Sequence, residues 1–94
     1  MTDVRDGDRD DRPSLLLVDD DVTFCSVLSK ALEKRGFRVG LAHTVAEARS
    51  HIQLGAPEYA VIDLKMPDQS GLMLVSRLKA LDERTRIVVL TGYA

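Results

Sequence analysis

The chain contains no tryptophan, a single cysteine and only a small excess of negative charge, with a net charge of −2. Cys25 alone cannot form a disulfide within the chain, so a disulfide-stapled secreted domain is excluded and a reducing cytosol is favoured. No apolar run approaches the roughly 18 residues that a membrane-spanning helix needs. The first residues also lack an apolar signal-peptide core. We therefore expect one small soluble cytoplasmic domain that itself binds neither nucleic acid nor membrane.

The first thirteen residues, MTDVRDGDRDDRP, contain five aspartates and three arginines and almost no apolar side chain. A segment with so little to bury does not offset the entropy lost on folding. We expect residues 1–13 to be a disordered tail of mixed charge and residues 14–94 to be the folded domain.

Residues 14–94 alternate between short apolar runs and stretches with helical periodicity. Apolar runs of strand length alternating with helices indicate a parallel sheet covered on both faces, as in doubly wound α/β folds. The predicted strands are 14–18, 37–42, 59–63 and 86–90, and the predicted helices are 21–35, 44–54 and 72–81.

The helix ends carry specific signals. Asp21 is expected to cap the first helix, and Gly36 has the position of a C′ glycine at its end. Thr44 and Glu47 form a capping-box pattern at the start of the second helix. On the first helix, the spacing of the apolar residues predicts a buried face made of Phe24, Val27, Leu28, Ala31 and Leu32.

Carboxylates follow two of the predicted strands. Asp19 and Asp20 end the first strand and Asp63 ends the third, while Thr91 follows the fourth. Ligands of doubly wound sheets bind at this edge. The clustered carboxylates would repel one another, and Mg²⁺ would relieve the repulsion while holding a phosphoryl group in line with a carboxylate nucleophile. If strands one and three are neighbours, this arrangement can form an aspartyl phosphate, and the Thr91 hydroxyl can be offered to a phosphoryl oxygen.

Three segments at these strand ends carry a family resemblance. "LLLVDDD", "VIDLKMPDQSGL" and "IVVLTGY" resemble the receiver domain of two-component response regulators, and the signature D-x-x-M-P-x-x-x-G falls on Asp63, Met66, Pro67 and Gly71. The resemblance covers residues 14–94. The wording "EKRGFRV" and "APEYAVIDL" further resembles global redox-responsive regulators with a C-terminal helix-turn-helix domain.

The resemblance implies a flavodoxin-like fold with strand order 2-1-3-4, and it implies a role for each site residue. Asp63 would accept a phosphoryl group from a histidine kinase. Asp20 would bind Mg²⁺ directly, and Asp19 would act mostly through metal-bound water. Lys65 would offer its backbone carbonyl to the metal, and Thr91 would be the switch hydroxyl. The resemblance implies a phosphoacceptor that assists its own phosphoryl transfer and not an enzyme.

The family's fourth helix, fifth strand and fifth helix would follow the last residue of this sequence. A lysine and a switch aromatic belong to that fifth strand. We therefore expect a truncated receiver whose DNA-binding output lies in a missing effector domain. A homodimer or an exchanged dimer is also expected, because strand four would keep an open edge.

Two other classes fit parts of the sequence. Asp19, Asp21 and Thr23 spell D-x-D-x-T, the nucleophile motif of haloacid-dehalogenase-like phosphatases, in which Asp19 would be labelled instead of Asp63. A degenerate receiver fold that is never phosphorylated is the other alternative. Among single residues, we expect Cys25 to be a packing residue and His43 and His51 to be surface groups.

Overall fold

The structure, a computed structural model, describes residues 10–90, and in this range the chain forms four strands and three helices. The predicted order of alternating strands and helices is confirmed. The elements are β1 (Ser14–Val18), α1 (Val22–Lys34), β2 (Arg38–Ala42), α2 (Val45–Gln53), β3 (Tyr59–Asp63), α3 (Gly71–Leu81) and β4 (Arg86–Leu90).

The four strands form one parallel sheet in the order β2-β1-β3-β4, which confirms the predicted strand order. β1 therefore lies between β2 and β3. Val18, the last residue of β1, is level with Ile62 on β3 and with Ala42 on β2. This register brings the residues that follow β1 close to the carboxyl end of β3.

Helices cover both faces of the sheet, as the apolar strands predicted. On one face, α2 and α3 contribute Ile52, Leu74 and Leu78 to a cluster that includes Val18 and Ile62 from the strands. On the other face, α1 packs over β1 and β2, with Cys25, Leu28 and Leu32 beside Leu15 and Leu17. The expectation that Cys25 is a packing residue is confirmed by its complete burial.

The predicted inward face of α1 is wrong for part of its length. Phe24, Val27 and Ala31 are exposed, whereas Cys25 and Ser29 are buried. The true contact face is displaced by about one residue from the predicted one. Spacing alone reports an apolar stripe but not the direction from which the sheet approaches it.

The predicted caps of α1 are confirmed. The Asp21 side chain accepts a hydrogen bond from Phe24 N at 2.9 Å and caps α1. At the other end Gly36 has φ +99°, and Phe37 N donates to Leu32 O at 3.1 Å, which is the Schellman arrangement. Since positive φ favours glycine, this one residue ends the helix and turns the chain into β2.

At the edge of the sheet away from the aspartates, Arg38 N donates to Pro13 O at 2.9 Å. The Asp10 carboxylate pairs with Arg12 and lies 3.4 Å from Arg38 Nε. The remainder of the predicted disordered tail lies outside the described residues, so that prediction stays untested. Among residues 10–90, no helix has the length and apolar content required to cross a bilayer.

Candidate functional site

Three carboxylates meet at the carboxyl ends of β1 and β3. Carboxylate oxygens of Asp19, Asp20 and Asp63 all lie within 4.8 Å of one another. Asp19 and Asp63 are each only 7% exposed, whereas Asp20 faces solvent. They line an open cleft together with Asp21, Phe24, Val89 and Leu90. The structure thus brings together the three aspartates that the sequence placed at strand ends.

The electrostatics of the cluster are unfavourable when all three groups are ionised. Burial raises the pKa of the Asp19 carboxyl, and the negative charges of Asp63, Asp20 and Asp21 raise it further. One contact opposes this shift, because Asp21 N donates to Asp19 Oδ1 at 2.9 Å. The site therefore holds negative charge that its own hydrogen bonds do not fully compensate.

This donor set fits a hard divalent cation. Mg²⁺ is bound in proteins through one or two carboxylates, with water or phosphate oxygens completing its shell. The three carboxylates supply oxygen ligands only, two of them from a buried position. A dication would relieve the charge repulsion that adds to the effect of burial on the pKa of Asp19. Asp19, Asp20 and Asp63 can therefore hold Mg²⁺ on chemical grounds.

The loop after β3 holds the Asp63 carboxylate in place. Lys65 N donates to Asp63 Oδ1 at 3.0 Å, and Leu64 N donates to Leu90 O at 3.1 Å. The loop returns to α3 through a bridge between Lys65 and Ser70. A Cβ atom on Gly71 would lie 2.5 Å from Asp63 O, so the close approach of α3 to the end of β3 requires glycine.

Thr91, the predicted switch hydroxyl, lies outside the described residues. Its neighbour Leu90 is described, ends β4 and lines the aspartate cleft. The role of Thr91 stays a prediction.

His43, which the sequence predicts to be a surface group, contacts the backbone of the aspartate site. Its Nδ1 lies 2.9 Å from Asp19 O, and since a carbonyl oxygen only accepts, Nδ1 carries the proton. Cys25 Sγ donates to the same carbonyl at 3.3 Å. The topology contained the signal: His43 directly follows β2, and β2 pairs with β1.

Asp68 is a second residue that was missed. Its carboxylate accepts hydrogen bonds from Val45 N at 3.0 Å and from Ala46 N at 3.1 Å, the first two amides of α2. These bonds hold the pKa of the Asp68 carboxyl below its usual value. Nothing in the local sequence signals this contact, because its partners belong to a different element.

Comparisons with known proteins agree with this geometry. The family model for the response regulator receiver domain matches residues 15–94. The chain is 51% identical over 80 residues to the photosynthetic apparatus regulatory protein RegA of Rhodobacter capsulatus, covering 85% of this chain and 44% of that protein. The chain thus spans less than half the length of this curated relative.

Two solved structures show the same fold. A response regulator from Burkholderia pseudomallei with a phosphorylated aspartic acid and a calcium ion superposes with a TM-score of 0.81 at 38% identity, covering 87% of this chain and 48% of that one. The response regulator TrrA from Thermotoga maritima, in complex with Mg²⁺-BeF, gives a TM-score of 0.79 at 26% identity, covering 87% of this chain and 71% of that one.

Proposed function

The chain belongs to the response regulator receiver domain family, and from that premise we propose that Asp63 accepts a phosphoryl group from a histidine kinase in an Mg²⁺-dependent reaction. The observation that carries this proposal is the approach of the Asp19, Asp20 and Asp63 carboxylates to within 4.8 Å at the ends of β1 and β3. We propose that the domain is a signalling module, a phosphoacceptor that assists its own phosphoryl transfer, rather than an enzyme.

Each residue of the site has a proposed task. Asp20, which faces solvent, would bind the metal directly, and the buried Asp19 would act mostly through metal-bound water. Lys65 would offer its backbone carbonyl to the metal, while its N–H holds Asp63 Oδ1. When bound, the metal would supply positive charge for the phosphoryl oxygens. Thr91 is proposed as the switch hydroxyl, which would bind a phosphoryl oxygen and so couple phosphorylation to a conformational change.

The proposed transfer exchanges one bond to phosphorus for another. A carboxylate oxygen of Asp63 forms a bond to phosphorus as the phosphorus–nitrogen bond of the kinase's phosphohistidine breaks. The leaving imidazole nitrogen takes the electron pair of that bond. The product is an acyl phosphate on Asp63, which places new charge beside Asp19 and Asp20 and requires a cation there.

The output of the parent protein is proposed from its likeness to RegA, whose name describes a regulatory protein. We propose that phosphorylation switches a DNA-binding, transcription-regulating domain outside this sequence. We also propose that the chain belongs to the redox-responsive subgroup, which the segments EKRGFRV and APEYAVIDL support. A cytoplasmic location is part of the same proposal and is supported by the single cysteine.

Labelling of the phosphoacceptor tests the proposal directly. Full-length protein incubated with acetyl phosphate and Mg²⁺ is expected to gain one phosphoryl group by intact mass, and Asp63→Asn is expected to gain none. Asp20→Asn should lose most of its Mg²⁺ affinity, and Asp19→Asn should lose less because its contact runs through water. Asp82→Asn, at the half-buried aspartate that ends α3, is the matched control and should label normally.

The same experiment separates the alternatives. Equal labelling of wild type and Asp63→Asn would contradict the assignment, and a label mapped to Asp19 by peptide mass spectrometry would favour the phosphatase-like reading. Asp21, the second carboxylate of that motif, has its side chain bound to Phe24 N as a helix cap. No label on the wild type in Mg²⁺ would favour the non-phosphorylated interaction domain.

A further inference from the structure

The amino end of α2 contacts both halves of the aspartate site. His43, just before α2, donates through ring Nδ1 to the backbone carbonyl of Asp19. The backbone N–H of His43 donates to Glu47 Oε1 at 2.7 Å. Asp68, from the loop after β3, accepts from Val45 N and Ala46 N. One helix end is therefore attached to the β1 side of the site and to the β3 side.

The Asp68 contact is distinct from the helix's own cap. Thr44 Oγ1 accepts from Glu47 N at 3.0 Å, which is the local N-cap expected from the sequence. Asp68 takes the two amides before it, and these amides have no partner within the helix. A local side chain could have capped them without connecting two elements. The Asp68 bonds instead span a sequence separation of 22 and 23 residues.

The 64–70 loop, which the Asp68 hydrogen bonds attach to α2, contains the Lys65 backbone groups that lie next to Asp63. Lys65 N bonds Asp63 Oδ1, and the bridge from Lys65 to Ser70 encloses Asp68. Movement of this loop would move the Lys65 amide and carbonyl relative to Asp19, because Asp19 is held separately by Cys25 and His43. The Asp68 hydrogen bonds thus set the distance between the oxygen ligands of the β1 side, at Asp19, and those of the β3 side, at Asp63 and Lys65.

We propose that Asp68 is a positioning residue, which holds the 64–70 loop against the amino end of α2 and so places Asp63 and the Lys65 backbone correctly for Mg²⁺. This proposal rests on the proposed function, since it gives the residue a role in that same metal site. Outer contacts that orient metal ligands are typically worth about 10–100-fold in metal affinity.

Three variants of the full-length protein test the role of Asp68. Asp68→Ala removes both hydrogen bonds to α2, and Asp68→Asn keeps one acceptor oxygen without the charge. Thr44→Ala is the matched control, because it removes a cap from the same helix and leaves the loop attached. We measure the melting temperature without metal, the Mg²⁺ dissociation constant by calorimetry, and the labelling rate as a function of acetyl phosphate concentration.

Asp68→Ala and Thr44→Ala are expected to lower the melting temperature by similar amounts. Only Asp68→Ala should weaken Mg²⁺ binding, by about tenfold, and raise the acetyl phosphate concentration that gives half the maximal rate. Asp68→Asn should fall between Asp68→Ala and wild type. This rescue by the conservative variant would not follow from a role in helix stability alone.

Two results would overturn the positioning role while leaving the proposed function intact. One is wild-type Mg²⁺ affinity in Asp68→Ala. The other is an equal loss of affinity in Thr44→Ala, which would assign the effect to α2 stability. If Asp68→Ala does not fold, an Mg²⁺ affinity of Asp68→Asn equal to that of wild type would overturn it as well. A wild type that neither binds Mg²⁺ nor accepts label would instead overturn the proposed function, and this inference with it.

Discussion

Asp19 is a buried carboxylate at the end of β1; burial raises its pKa, and the negative charges of Asp63 and Asp20 raise it further. At an effective dielectric constant of about 20, two unit charges about 5 Å apart repel by roughly 3 kcal/mol before salt screens them. The carboxylates of the site approach within 4.8 Å. The metal-free domain therefore holds these groups at a cost in stability that metal binding would return.

This cost predicts the effect of a neutral residue at position 19. Asp19→Asn keeps an acceptor for Asp21 N but removes one charge, so in EDTA the free energy of unfolding should rise by about 1–2 kcal/mol after screening. With Mg²⁺ added, the wild type should gain more stability than the variant, because the variant binds the metal less tightly. Urea unfolding with and without Mg²⁺ measures both effects.

The same substitution at Asp82 should not stabilise the chain. The Asp82 carboxylate accepts from Arg84 N at 2.9 Å and from Arg84 Nε at 3.0 Å, contacts that lower its pKa. Asp82→Asn should therefore leave stability unchanged or slightly reduced. An Asp19→Asn variant that is less stable than wild type in EDTA would show that the repulsion is already compensated in the metal-free protein.

Among the elements, the junction of β3 and α3 is the one most sensitive to added volume. A Cβ on Gly71 would meet Asp63 O at 2.5 Å and Leu64 Cα at 3.0 Å, both on backbone that has little room to move. Gly71→Ala must push α3 away from the end of β3. We expect a loss of about 1–3 kcal/mol in stability, together with weaker Mg²⁺ binding because Asp63 O and the loop shift.

Gly40→Ala is the matched control for Gly71→Ala. Its Cβ would lie 3.4 Å from the His51 ring, the flexible side chain of an exposed residue, and Gly40 does not line the aspartate cleft. We expect nearly unchanged melting and unchanged Mg²⁺ affinity for Gly40→Ala. Wild-type Mg²⁺ affinity in Gly71→Ala would show that α3 moves away without displacing Asp63.

The elements also show what the sequence could and could not predict. The alternation of strands and helices and the Asp21 and Thr44 caps follow from local patterns. The strand order, and with it the meeting of the three aspartates, followed from the resemblance to the receiver family, because the rules of parallel sheets alone allow several orders. The face of α1 did not follow, because the buried side depends on where the sheet lies. The Asp68 contact did not follow either, because it joins elements that are distant in sequence and has no local signature.

At the scale of the whole molecule, β4 is the least covered strand among residues 10–90. It pairs with β3 and with no other described strand, so one edge keeps free backbone groups. Val88 is 56% exposed on the sheet face that α1 covers farther along, and Val89 is 38% exposed on the other face. An open edge flanked by exposed apolar side chains favours pairing with another copy.

We therefore expect the 94-residue chain to self-associate through β4 as its concentration rises. At about 25 cal/mol per Å², covering a few hundred Å² of apolar surface is comparable with the roughly 5–15 kcal/mol that stabilises a small domain. Val88→Lys places a charge on the uncovered face and should shift the association to higher concentration. Leu54→Lys, at a side chain that is 91% exposed just beyond α2, is the control and should not. Sedimentation velocity over a concentration series measures the association of the wild type and both variants. A wild type that is monomeric at every concentration would contradict association through β4, and so would equal effects of Val88→Lys and Leu54→Lys.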